Sequence, residues 1–95
     1  MNVTTHRGEI RNIGALTQKA DGTKYIRFEI GVPRRKYEGC DYIDVTAYEK
    51  TAEKIATVGV GTMVSVVGRL LVSTERLPDG TRRKNVEITA QEVEF

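Results

Sequence analysis

Four tyrosines and two runs of cations carry most of the chemistry this sequence offers. Pro33-Arg34-Arg35-Lys36-Tyr37-Glu38-Gly39 sets three consecutive cations before an aromatic ring. On the opposite hairpin, Arg76 precedes a Pro78-Asp79-Gly80-Thr81 turn and Arg82-Arg83-Lys84 follows it. Tyr25, Tyr42 and Tyr48, with Arg27 and Arg69, fall on the polar side of segments that alternate polar and apolar residues. Rings turned away from a core, among flexible cations, suit flat ring systems joined by phosphates: each base stacks for about 1–3 kcal/mol and the cations follow the backbone. Bond-making chemistry has no comparable support. His6 is the single histidine, with no cysteine or second histidine near it, and Cys40 follows Glu38-Gly39 with no basic partner in sequence. Asp41, Asp44 and Glu49 are spread along a strand and into a helix rather than paired for acid–base work. Gly59-Val60-Gly61 leads into a strand, not a helix, so it is no phosphate cradle. No catalytic residue, metal site or cofactor is expected.

The elements that must position these residues follow from periodicity. Val, Ile and Thr number 11, 7 and 11, against 4 Leu and 6 Ala. Side chains branched at Cβ are stiff and pack well on pleated surfaces, so the bias is toward strands. Ala20-Asp21-Gly22-Thr23 and Pro78-Asp79-Gly80-Thr81 each lie between alternating runs and predict two β-hairpins. Along Lys24–Val32, Ile26, Phe28, Ile30 and Val32 share one face while Tyr25, Arg27 and Glu29 share the other. Along Tyr42–Tyr48, Ile43, Val45 and Ala47 point inward and Tyr42, Asp44, Thr46 and Tyr48 outward. Thr62–Thr74 has Val64, Val66, Leu70 and Val72 on one side and Val67, Arg69 and Leu71 on the other, with Gly68 predicting a bulge or bend. Lys84–Phe95 groups Val86, Ile88 and Ala90. Val3–Leu16 forms a first strand interrupted by Gly8 and Gly14, as where a strand bends around a small barrel. Glu49–Val58 reads as a helix, with Ala52, Ile55 and Ala56 on one face, Glu49 at its start and Gly59 as its stop.

Strand, strand, strand, short helix, strand, strand is the order of an all-β, five-stranded OB-fold, a Greek-key barrel with its helix between strands three and four. An SH3-like barrel has five strands but no such helix. In small OB-folds, strands two and three form the binding platform, framed by loops. The same side chains admit another reading, in which the cations are simply solvated and the tyrosines meet another protein.

The 95 residues fit one domain, 1–95, whose thin core leaves no room for a deep cavity between lobes. Fifteen Lys and Arg against thirteen Asp and Glu give a formal charge of +2, which permits an anionic partner without naming one. A lone cysteine forms no internal disulfide, no segment reads as a secretion signal, and no apolar run approaches the ~20 residues of a membrane span. A cytoplasmic, nucleoid-associated location and no membrane partner are expected.

These segments resemble bacterial-type single-stranded DNA-binding proteins over nearly the whole chain. Gly8-Glu9-Ile10 is similar to the family's Gly-x-Leu, and Tyr25-Ile26-Arg27-Phe28-Glu29-Ile30-Gly31 to its second strand, where Asn-Phe-Ser-Leu-Ala is typical. Tyr42-Ile43-Asp44-Val45-Thr46-Ala47-Tyr48-Glu49-Lys50-Thr51-Ala52-Glu53 resembles Trp-x-x-Val-x-x-Phe-x-Lys-x-Ala-Glu. Val60-Gly61-Thr62-Met63-Val64-Ser65-Val66-Val67-Gly68-Arg69-Leu70 resembles Lys-Gly-x-x-Val-x-Val-x-Gly-Arg-Leu. Asp79-Gly80-Thr81-Arg82 and Glu87–Phe95 complete the match.

The resemblance implies sequence-nonspecific binding of single-stranded DNA on the barrel, in replication, recombination or repair, with Tyr42 and Tyr48 as stacking residues and Tyr37 near the family's loop aromatic. Its fourth-strand aromatic falls near Arg76 or Leu77, where no ring is present; a guanidinium plane can stack instead. No Trp occurs at all. Family members often carry His at a subunit contact where this chain has Ile43, which leaves dimer and tetramer both open for the expected homo-oligomer. The disordered tail by which many members recruit partners has no counterpart after Phe95, so tail-mediated recruitment is not expected. A short form also resembles the primosomal replication protein of the same fold, an adaptor acting through protein contacts. Stacking is blind to the sugar, so RNA stays open beside DNA. The residues read as the site are Tyr25, Tyr37, Tyr42 and Tyr48 for stacking, and Arg27, Arg34, Arg35, Lys36, Arg69, Arg76, Arg82 and Arg83 for phosphates.

Overall fold

A computed structural model describes residues 1–95. Its strands are β1 (Thr4–Ile13), β2 (Thr17–Gln18), β3 (Lys24–Pro33), β4 (Cys40–Tyr48), β5 (Met63–Arg76) and β6 (Arg82–Glu94), with one helix, α1 (Glu49–Ile55), between β4 and β5. The five long strands are those expected from periodicity; the two-residue β2 is additional and pairs with the start of β3.

The strands run β1-β5-β6-β4-β3, and β1 also pairs with β3. Thr4–Glu9 lie against β5, and Glu9–Ile13 against β3, so one bent strand joins both ends of the sheet into a ring. Gly8 sits at this corner because a Cβ there would lie 2.5 Å from the Gly31 carbonyl oxygen. All neighbours are antiparallel except β4 and β6, which run parallel. The ring, with its helix after the third long strand, is the OB-fold arrangement.

Thirteen apolar residues fill the ring, among them Ile10, Ile26, Phe28, Ile30, Val45, Val64, Val66 and Ile88. Burying one such side chain contributes about 1.5–3 kcal/mol, so this cluster carries the fold. α1 packs against β3, β4 and β6 and adds Ala52 and Ile55 to the core. It is shorter than expected: the helix spans Glu49–Ile55 with Ala56 as its C-cap, and Ala56 is exposed. The left-handed residue after it is Gly61, not Gly59, and Gly61 donates its N–H to the Ile10 carbonyl.

Two irregularities reset side-chain alternation. Between β1 and β3 the register shifts from Ile10 to Asn12, so Arg11 and Asn12 both face outward. Between β5 and β6 the register shifts at Val67/Gly68, and Gly68 passes so close to Thr89 that a Cβ would strike its carbonyl oxygen. The shift brings Val93 into the core beside Val66, a residue outside the Val86, Ile88, Ala90 face read from alternation. Leu70, Val72 and Val86 share the core side but stay exposed, because the β5–β6 hairpin outruns the barrel.

Candidate nucleic-acid interface

The outward face of β3, β4, β6 and β5 is organised in cross-strand rows. In the first, Tyr25 lies opposite Tyr48. Their ring centroids are 6.5 Å apart at 44°, a tilted pair. Next comes Arg27–Thr46–Thr89–Arg69, an arginine at each end of two threonines. Two residues further along the strands is Glu29–Asp44–Glu87, ending at Leu71. Gly31 opposite Tyr42 follows. Aromatic, basic, acidic and aromatic bands thus succeed one another along β3 and β4.

At the first aromatic band, Lys19 Nζ lies 5.5 Å from the Tyr25 centroid and 5.3 Å from that of Tyr48. Arg27 Cζ lies 5.9 Å from the Tyr25 ring. Lys19 reaches this position from the hairpin turn that ends at Thr23, whose carbonyl accepts the Lys19 backbone N–H at 2.8 Å. At the second aromatic band, Gly31 leaves space that Arg11 and Tyr42 share: a Cβ there would meet Arg11 Cγ at 3.1 Å and Tyr42 Cε1 at 3.5 Å. Lys19 and Arg11 were absent from the site read from sequence. Periodicity does not register a two-residue strand or a bulge, and those place the two cations.

The β3–β4 loop carries Arg34, Arg35, Lys36 and Tyr37, the last 74% exposed. Because β4 and β6 are parallel, this loop and the β5–β6 turn lie at the same end of the barrel, not opposite ends. Arg76 faces Arg82 across the hairpin. Arg34 Nε donates to Asp41 at 2.9 Å, and Arg83 to Glu75 at 2.8 Å. Both pairs are exposed, a setting worth about 0–1 kcal/mol, so a phosphate can displace either carboxylate at small cost. Arg35, Lys36, Arg76 and Arg82 are exposed and make no ion pair.

Each hairpin turn is held by an aspartate. Asp21 Oδ1 accepts from the Thr23 N–H at 2.9 Å; Asp79 Oδ1 accepts from the Thr81 N–H at 3.0 Å and its hydroxyl at 2.6 Å. The Thr23 backbone N–H holds the Asp21 carboxyl below the ordinary 3.8, and the Thr81 hydroxyl and N–H do the same for Asp79. Gly22 and Gly80 take the left-handed φ of 92° and 87° that these turns demand. The Lys24 ammonium donates to Glu53 Oε1 at 2.9 Å, which raises its pKa above the ordinary 10.5.

The Single-strand binding protein family matches residues 1–95. Single-stranded DNA-binding protein 3 of Clostridium acetobutylicum is 36% identical over 95 aligned residues, covering 87% of this chain and 66% of that one. Protein 1 of the same organism is 38% identical over 80 residues, covering 78% and 73%. The chain therefore spans about two thirds to three quarters of the length of these relatives. Among solved structures, the small single-stranded DNA-binding protein from Streptomyces coelicolor has a similar fold, with a TM-score of 0.83 at 24% identity over 99% of this chain and 94% of that one. The wild-type single-stranded DNA-binding protein from Thermus aquaticus gives 0.79 at 21%, over 99% and 39%. With a family match from first residue to last and relatives at 36–38% identity, this chain belongs to the single-strand binding protein family.

Proposed function

We propose that this chain binds single-stranded DNA on the outward face of β3 and β4, and that its role is to hold and protect exposed strands during replication, recombination or repair. The observation that carries the reading is the Tyr25–Tyr48 pair, two outward rings directly opposed with Lys19 beside both. Bases stack there, and phosphates meet Arg27 and Arg69, then the cations of the 34–39 loop and the β5–β6 hairpin. Stacking and phosphate contacts dominate such binding and tolerate any sequence. The names of the related proteins support the same ligand.

Adding oligo(dT) of about 30 nucleotides should quench tyrosine fluorescence, with affinity falling steeply as salt rises. An unchanged signal at low salt overturns the reading.

We further propose that the protein works as a homo-oligomer, in which a second copy covers Leu70, Val72 and Val86, the apolar row that the barrel leaves open. Replacing Val72 and Val86 by Thr should lower the mass seen by light scattering; an unchanged oligomer rules this surface out. No helix is long and apolar enough to cross a membrane, and the proposed location is the cytoplasm, with the DNA.

A further inference from the structure

The acidic band is the feature that phosphate binding does not use. Glu29, Asp44 and Glu87 stand side by side on β3, β4 and β6. Like charges directly opposite on neighbouring strands repel, so the fold gains nothing from this row. None of the three is paired with a cation: the ion pairs of the molecule use Glu9, Glu53, Asp41 and Glu75. Arg27, nearest in the adjoining row, is turned toward the Tyr25 ring.

The three carboxylates line a groove of about 410 Å³, with Asn12, Arg27 and Thr46 on its other sides. Thr46 supplies a second and independent observation. It is only 5% exposed, yet its side chain makes no hydrogen bond. No fully buried side-chain oxygen lacks a partner, so its hydroxyl opens onto the groove. The free hydroxyl of a nearly buried residue, beside two half-buried carboxylates and the exposed Asp44, none with a cation, makes a polar groove.

Position decides what enters it. Asp44 comes two residues after Tyr42, and Thr46 two before Tyr48. A strand stacked on both rings spans about 20 Å of β4 and must cross the groove. Its phosphates find cations at the Arg27 band and are repelled at the acidic band, about 7 Å further along. On its acidic side the groove therefore receives base edges rather than phosphates. A carboxylate accepts hydrogen bonds and donates none. Cytosine, adenine and guanine present amino donors at N4, N6 and N2, whereas thymine presents its O4 carbonyl where cytosine has N4 and keeps only its ring N3–H as a donor.

We infer that the groove is a base-edge subsite that favours amino-bearing bases, cytosine in particular, over thymine. It rests on the proposed DNA-binding function and adds a compositional preference to stacking that is otherwise indifferent to sequence. Cytosine and thymine are both pyrimidines, so comparing them holds ring size fixed.

The test measures binding of dC and dT oligonucleotides of about 20 nucleotides, above the site size of one OB-fold. It uses the unaltered chain and the Glu29→Gln/Asp44→Asn variant under the same buffer and salt. Circular dichroism verifies that both are folded. The expected ratio of dC to dT affinity is roughly three- to tenfold higher in the unaltered chain than in the variant, the loss arising mainly from tighter dT binding. An equal gain for both oligonucleotides means the carboxylates only repel phosphate, and overturns the inference. So does a ratio that the substitutions leave unchanged, with DNA binding intact. Failure of the unaltered chain to bind either oligonucleotide removes the DNA-binding reading itself.

Discussion

Lys19 holds its ammonium at nearly equal distance from the Tyr25 and Tyr48 centroids, 5.5 and 5.3 Å. In the free protein it occupies the ring faces through cation–π attraction. In the proposed complex an incoming base takes those faces, and the ammonium needs to move only a side-chain length to meet the adjoining phosphate. Replacing Lys19 by Met should weaken binding uniformly across sequences and reduce the slope of log affinity against log salt by about 0.7, the single-strand value for one phosphate contact. Tyr48→Ala should cost about 1–3 kcal/mol of DNA affinity while thermal unfolding stays cooperative. If Tyr48 instead serves a subunit contact, the oligomer mass changes and binding per subunit survives. The turn aspartates give a prediction in pH. Asp21 and Asp79 have carboxyl pKa values depressed in the folded chain by hydrogen bonds from Thr23 and Thr81. Their contribution to stability is therefore complete above the ordinary value of 3.8 and is lost as pH falls through the depressed folded values. Melting temperatures of the Asp21→Asn/Asp79→Asn variant should accordingly show a shallower decline below about pH 4 than those of the unaltered chain.

At the scale of elements, irregular positions matter more than regular ones. Gly68 accommodates the bulge where β5 and β6 change register, against the Thr89 carbonyl. Gly68→Ala should overpack this contact and cost about 1–3 kcal/mol, and a denaturant titration measures it. Glu49 opens α1 with φ 52°, a left-handed conformation that glycine adopts more easily. Its carboxylate accepts the Lys24 backbone N–H at 3.3 Å. Glu49→Gly should relieve roughly 1 kcal/mol of backbone cost and lose that hydrogen bond, leaving stability near its original value. Glu49→Val loses both the bond and the conformational ease and should lower it clearly. These positions also show where the sequence was readable. Ile26, Phe28 and Ile30 alternate with Tyr25, Arg27 and Glu29 because β3 is regular, and the structure keeps both faces. The Asp-Gly turns were equally plain, since few other residues accept that backbone. Arg11, Val93 and Lys19 were not, because bulges and a two-residue strand leave no periodic trace. The banding of the outward face was hidden for another reason: it depends on register among four strands, including a parallel pair between segments about 40 residues apart.

At the scale of the molecule, a net charge of +2 conceals a strongly uneven surface. Cations gather at the barrel end formed by the 34–39 loop and the β5–β6 turn, and carboxylates interrupt the platform. Salt should thus screen attraction and repulsion together, and neutralising Glu29 and Asp44 should leave a steeper salt dependence than the native surface shows. The ring itself depends on β1, bent at Gly8 to serve β5 with one half and β3 with the other. Asn2 tightens this closure by donating to the Leu70 carbonyl and accepting from its N–H, each at 2.9 Å. That arrangement has a consequence for synthesis. β1 leaves the ribosome before its partner and cannot complete its pairing until residues 63–68 of β5 have emerged. Until then the nascent sheet has raw edges, and a chain clipped after Arg7 would keep one permanently on β5, open to the strands of its neighbours.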